Sequence, residues 1–199
     1  MSSFAESYLA ETAAIAGQLD ASTVDGLATE LAGVRERGGR LFVLGVGGSA
    51  AHASHAACDF RKLCSFEAYA PTDNVAELTA RTNDDGWEDV FASWLGGSRL
   101  GEQDALLVFS VGGGDEARNV SVNLVRAVEL ARSVGASVFG VVGRDGGYVQ
   151  RTADVSVLVP TVNEERVTAH TEGMCAVVWH LLVSHPALQA ATPKWESLS

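Results

Sequence analysis

Long hydrophobic runs, paired cysteines and an excess of positive charge are all missing from this sequence, and each absence removes a class of protein. No apolar stretch approaches the length of a bilayer span, and no signal-peptide pattern opens the chain, so neither a membrane protein nor an exported one is expected. Only 14 Lys and Arg stand against 25 Asp and Glu, a formal net charge of −11, which argues against a nucleic-acid partner. The three cysteines, Cys58, Cys64 and Cys175, have neither zinc-finger nor redox spacing. They read as small core residues, kept reduced in a cytoplasm. What is present is a chain of 199 residues, 47% apolar, long enough for one α/β domain with a sizeable core.

The stretch from Leu41 to Asp59 carries the chemistry. Leu41 to Leu44 is a short apolar run of the kind a parallel strand shows when both its faces are covered. Gly45, Gly47 and Gly48 then permit a turn and let a ligand approach the main chain. Ser49 suits the N-cap of a following helix, whose first N–H groups form a ready anion site with phosphate as its usual tenant. His52, His55 and Asp59 fall at i, i+3 and i+7, on one face of that helix. Such a face is either a partly exposed polar surface or a catalytic or metal site, and spacing does not decide between them.

Residues 3 to 38 read as one long helix or two in tandem. Val24, Leu27, Leu31 and Val34 keep the 3-4-3 spacing of one buried stripe. Asp20 or Ser22 is expected to cap a second helix, and Gly38-Gly39 to end it. A helical arm ahead of the first strand has no sheet face of its own to cover, which points to packing on another subunit. Further strands are expected over residues 66–69, 104–110, 136–142 and 154–160. Helices are expected from the Thr72-Asp73-Asn74 cap through Ala80, around Trp87 to Trp94, over 121–134 and over 168–184, with a polar loop at 82–86. Strands alternating with helices make an α/β fold with a doubly wound parallel sheet of five strands, and ligands bind at the strands' carboxyl ends. A second glycine loop, Val111 to Asp115, follows such an end, where three glycines can present N–H groups to phosphate. Asp115 is unfavourable there unless it points away or binds another group.

The pattern Gly45-x-Gly-Gly-Ser-Ala-Ala-x-Ala-x-His55-x-x-x-Asp59 resembles the opening motif of the phosphoheptose isomerases, a branch of the sugar isomerase (SIS) family. The resemblance can be followed over roughly residues 3 to 185. It implies a single flavodoxin-like SIS domain over residues 1–199, with 1–38 an arm used in oligomerisation, 39–185 the sheet and helices, and 186–199 a tail. It also implies a cytoplasmic homotetramer that isomerises sedoheptulose 7-phosphate, an aldose–ketose reaction of heptose biosynthesis, with no nucleic acid and no membrane as partner. The segment from Asp73 to Asn83-Asp84 resembles one that lines the sugar, Gly143-Arg144-Asp145-Gly146-Gly147 resembles a further loop, and Glu172-x7-His180 matches a Gln-x7-His motif.

Carried over by that resemblance, one zinc ion per subunit is held by His55, Asp59, Glu172 and His180. Asp59 is the candidate base and His180 the candidate acid/base. Gly47, Gly48, Ser49, Asn83, Asp84, Ser110, Gly112, Gly113, Ser121 and Glu172 are the candidates for sugar and phosphate contacts. The chain departs from the family in three ways. Asp59 stands for Glu, Glu172 stands for Gln, and the Ser/Thr-rich phosphate loop keeps only Ser110 and, after an apparent insertion of several residues, Ser121. Eight helical residues also separate Glu172 from His180, a rise of about 12 Å, so both reach one ion only with extended side chains or from different subunits. The alternative reading is a non-catalytic SIS module that binds a sugar phosphate or a protein partner. An amino-sugar isomerase is disfavoured by the heptose-type Asn83-Asp84 and Arg144-Asp145 loops.

Overall fold

The computed structural model describes residues 2–194 and 196–198. It opens with α1 (Phe4–Gln18), started by a capping box in which Ser3 Oγ accepts from the Glu6 N–H while the Glu6 carboxylate accepts from the Ser3 N–H. Leu19 and Asp20 break the helix. The Asp20 carboxylate then caps α2 (Ala21–Glu36) by accepting from the Ser22 N–H at 3.0 Å. The two-helix alternative is therefore the one realised, with Asp20 as the cap.

Next come β1 (Leu41–Leu44), α3 (Gly48–Cys64), β2 (Ala68–Tyr69), α4 (Val75–Asp84), α5 (Val90–Gly97) and β3 (Ala105–Ser110). They are followed by α6 (Val122–Ser133), β4 (Ser137–Val142), α7 (Gly147–Thr152), β5 (Val155–Leu158) and α8 (Val167–Ser184). The five strands are all parallel and lie in the order β2-β1-β3-β4-β5, with Leu41 beside Ala105 and Ala105 beside Ser137. Every residue of β1 and β3 is buried, which is why both read as unbroken apolar runs. One face of the sheet is covered by α2, α3 and α8, whose Leu27, Leu31, Phe60, Trp179 and Leu182 share a core. The other is covered by α5 and α6 through Phe91, Leu95, Leu124 and Val128. Chain order reverses between β1 and β3, so the loops after these two strands flank the crevice where such sheets bind ligands.

Several expectations are revised. The stripe Val24, Leu27, Leu31 and Val34 is buried within the chain's own core, because α2 covers β5 and packs on α8. Only α1 remains as an arm. It buries Ile15 but leaves Phe4 69% and Leu9 67% exposed. Helix α4 runs to Asp84, so Asn83 and Asp84 form its last turn and not a loop. Its cap is Asn74, which accepts from the Glu77 N–H. Helix α7 gives no periodic signal, being six residues long and started by Gly146 and Gly147. Burial pushes the Cys64 and Cys175 thiols up to about 11 and about 12, which leaves them inert core residues.

Candidate functional site

Two regions gather the chemistry, and α8 runs through both. Where α3 packs against α8, His55 and Asp59 stand one turn apart beside His180, and one ligating atom from each lies within 4.8 Å of the others. His55 Nε2 is 3.7 Å from Asp59 Oδ2. The His180 Nδ1 lies 2.8 Å from the Ala176 carbonyl oxygen. A carbonyl only accepts, so Nδ1 carries the proton and the Nε2 lone pair is left for a metal ion or a substrate proton. The buried Trp179 indole supports both imidazoles, with ring centroids 4.6 Å from His55 and 3.5 Å from His180. Two imidazoles and a carboxylate with a fourth position open form the donor set of a catalytic zinc site, so these residues fit the ion that the resemblance implies.

Glu172 is placed elsewhere. It sits about two turns back along α8, and a Cβ added at Gly48 would meet its carboxylate at 2.7 Å. A side chain at position 48 would push that carboxylate aside. The carboxylate thus lies at the start of α3, where the helix dipole favours negative charge. The N-terminus that sequence reading assigned to phosphate already has an anionic neighbour. Ser49 is the second residue of α3, 3% exposed, and the N-cap is Gly47 with φ of 64° and no side-chain bond.

The second region is a cavity of about 480 Å³ at the switch point of the sheet. Of the sequence candidates, Ser49, Ser110, Gly112, Ser121 and Glu172 line it. Asn83 and Asp84 do not; they are exposed, and the Asn83 amide donates to Asp84 at 2.8 Å. Gly113 serves packing: φ is +68°, and a Cβ there would overlap the Gly146 carbonyl oxygen. Its N–H donates to Ser110 Oγ at 3.0 Å. Gly147 meets the Gly112 carbonyl in the same way, so the two glycine loops close on each other backbone to backbone.

The insertion between Ser110 and Ser121 is a small hairpin. Asp115 and Val120 exchange two N–H···O bonds of 2.8 Å each, with Asn119 at φ of 53° in the turn. This hairpin brings Arg118 to the cavity, where Arg144 and Arg151 join it. Sequence reasoning missed Arg118 and Arg151 as site residues. Their one sequence signal is that scarce positive charge follows the glycine loops.

No family model matches the chain. Over 184 residues it is 34% identical to the phosphoheptose isomerase of Solidesulfovibrio magneticus, an alignment that takes in 88% of this chain and 84% of that protein. The chain belongs to the phosphoheptose isomerase family. It is also 37% identical over 160 residues, 74% of its length, to the lincomycin biosynthesis protein LmbN of Streptomyces lincolnensis, and it spans 56% of that longer protein. Its fold matches the solved phosphoheptose isomerase GmhA of Neisseria gonorrhoeae with a TM-score of 0.80 at 25% identity, covering 90% of this chain and 96% of that one. Within this phosphoheptose isomerase fold, the opening motif and the last helix meet at the α3–α8 seam, and the glycine loops meet at the cavity.

Proposed function

We propose that the chain is an aldose–ketose isomerase that converts sedoheptulose 7-phosphate to a D-glycero-heptose 7-phosphate through an enediol, with the carbonyl end at the α3–α8 seam and the phosphate in the glycine-loop cavity. The observation that carries this reading is the convergence of His55, Asp59 and His180 from two helices. Asp59 takes the proton from the carbon beside the carbonyl and returns it to the neighbouring carbon. Being one methylene shorter than Glu, Asp59 depends on the fixed α3 backbone for its reach. His180, with Nδ1 tied to Ala176, moves protons between the enediol oxygens through Nε2. His55, Asp59 and His180 would hold a zinc ion, which when bound supplies Lewis-acid polarisation of the carbonyl. Ser110 and Ser121 hold the phosphate end, and this remote binding positions the reacting carbons.

The cavity reaches Glu172, and His180 stands on the same helix about 12 Å further along its axis. The chain assembles as a cytoplasmic homotetramer in this reading. Phe4 and Leu9 on α1, with Val177 and Leu181 beside His180 on α8, are the exposed apolar residues that support subunit packing. A pure binding module has no need of a base and a tautomer-fixed histidine within 4.8 Å of each other.

The test is an NMR assay of purified protein with sedoheptulose 7-phosphate, run with added zinc and after chelation. A new aldose signal that weakens on chelation is expected, and its couplings name the product. A folded protein that yields no aldose in either condition would overturn the reading.

A further inference from the structure

We propose that the inserted hairpin is a phosphate clamp, in which Arg118 with Arg144 and Arg151 takes over the work of the missing hydroxyls. The proposal rests on the reading of the cavity as the phosphate end of a sugar-phosphate site, and it names the residues that decide affinity there.

Charge is the first argument. Three carboxylates line the cavity: Asp115, Asp145 and Glu172. A phosphate carrying up to two further negative charges would be repelled by them at close range. The same wall carries three arginines, in a chain with only 14 cationic side chains against 25 anionic ones. Removal of any one arginine leaves the lining net negative. Recognition of a phosphate here depends on all three.

Availability is the second argument. Most arginines of this chain are committed to fixed acceptors. Arg40 pairs with Asp104 at 2.7 Å, Arg126 with Asp89 at 2.6 Å, and Arg35 donates to the carbonyls of Cys64, Ala187 and Leu188. Among the described residues, Arg144 and Arg151 have no carboxylate within 4.0 Å and no side-chain hydrogen bond. Arg118 has one long contact, Nε to Asp115 Oδ2 at 3.5 Å, with its side chain 83% exposed. An exposed pair of that length contributes little and leaves the rest of the guanidinium fork free for an oxyanion.

Placement is the third argument. The other phosphate donors that the loop could offer are partly spent. The Gly113 N–H is taken by Ser110 Oγ, and Glu172 sits at the α3 N-terminus. The hairpin is held at the cavity by the two Asp115–Val120 backbone bonds, and the Arg118 N–H donates to Asp115 Oδ1 at 3.1 Å, which fixes where its side chain begins. The insertion thus exchanges short hydroxyls for a bidentate cation, the side chain best matched to phosphate.

The experiment compares the native chain with Arg118→Ala, using sedoheptulose 7-phosphate, unphosphorylated sedoheptulose and inorganic phosphate as probes. Thermal unfolding and oligomeric state of the variant are checked against the native chain. Arg118→Ala is expected to raise KM for the sugar phosphate about tenfold, the loss of one charge-assisted hydrogen bond, with kcat within about twofold. Inorganic phosphate, titrated by calorimetry, should bind about tenfold more weakly to the variant, and kcat/KM for the unphosphorylated sugar should not move. Arg118→Lys should recover part of the loss. Unchanged KM and unchanged phosphate binding in Arg118→Ala would overturn the clamp even if the isomerase activity is established. Absence of phosphate binding by the native chain would overturn it too. If sedoheptulose 7-phosphate is not turned over at all, the phosphate titration alone still decides, because it does not depend on which sugar is the substrate.

Discussion

The α3–α8 seam and the glycine-loop cavity lie about two helical turns apart along α8, yet they are held by different physics. The seam consists of two helices of 17 and 18 residues whose buried faces belong to the main core, so the side chains of His55, Asp59 and His180 are set by periodicity and by Trp179 packing beneath them. The cavity is made of loops that meet because Gly113 and Gly147 carry no Cβ to strike the Gly146 and Gly112 carbonyls. Rigid helices fix chemistry that must be accurate, and glycine loops tolerate an insertion that rewires binding. Substitutions that strike one region and spare the other are the way to break or sharpen this contrast.

The largest effect is expected at the seam. Asp59→Asn keeps size and helix propensity but removes the proposed base, and kcat should fall about 10²- to 10⁴-fold, with the thermal midpoint and phosphate binding near native values. Activity within tenfold of native in that variant would move the base elsewhere. In the cavity, Gly113→Ala forces a Cβ against the Gly146 carbonyl at φ of +68°. It should cost about 1–3 kcal/mol of stability and raise KM several-fold, while the zinc binding proposed for the seam is unchanged. Loss of zinc affinity in Gly113→Ala would show that the two regions are one mechanical unit.

The contrast also explains what could be read from the sequence. The apolar runs at Leu41 to Leu44 and Ala105 to Ser110 and the stripe from Val24 to Val34 marked buried elements, because burial on both faces of a strand or along one face of a helix leaves a local pattern. His55 and Asp59 showed one-turn helical spacing that did not by itself decide their role, and His180 was singled out with them by the family resemblance. Arg118 and Arg151 were not, since their approach to the cavity depends on glycine contacts between loops more than thirty residues apart. Helix α7 was too short to show a period, and α4 continues through Asn83 and Asp84, where Arg81 pairs with Glu77 and Asp85 one turn to either side. The position of Glu172 against Gly48 was equally hidden, because spacing along α8 does not tell which neighbour a side chain meets.

Glu172→Gln sharpens the boundary between the regions. If the proposed zinc is held by the three seam residues alone, the variant keeps an affinity for it within about threefold of native, measured by competition with a chromogenic chelator. Loss of the negative charge at the α3 N-terminus costs about 0.3–1 kcal/mol of stability. It also lowers KM modestly at low ionic strength, because one repulsive charge has left the cavity wall. A large loss of zinc affinity would instead make Glu172 the fourth ligand and merge the two regions into one site.

The smallest effect at neutral pH is expected where the arm joins the domain. Glu11 on α1 accepts hydrogen bonds from the Asn163 amide at 2.9 Å, from His170 Nε2 at 2.8 Å and from Arg166 at 2.8 Å. The bond from Asn163, with those from His170 and Arg166, holds the carboxyl down at about 2, against an ordinary value of about 4.3. Between those two values the unfolded chain binds a proton that the native chain does not. The stabilisation is therefore complete above about 4.3 and drains away as pH falls toward about 2. Chemical denaturation midpoints taken from pH 6 down to pH 2 should show this decline in the native chain, and Glu11→Gln should flatten the part of it that Glu11 contributes. Because the contact lies between α1 and the segment entering α8, the variant should leave kcat and zinc binding untouched while loosening the arm, seen as faster amide exchange in α1 than in α2. Equal exchange in the two helices would mean that Ile15 and the core, not this carboxylate, hold the arm in place.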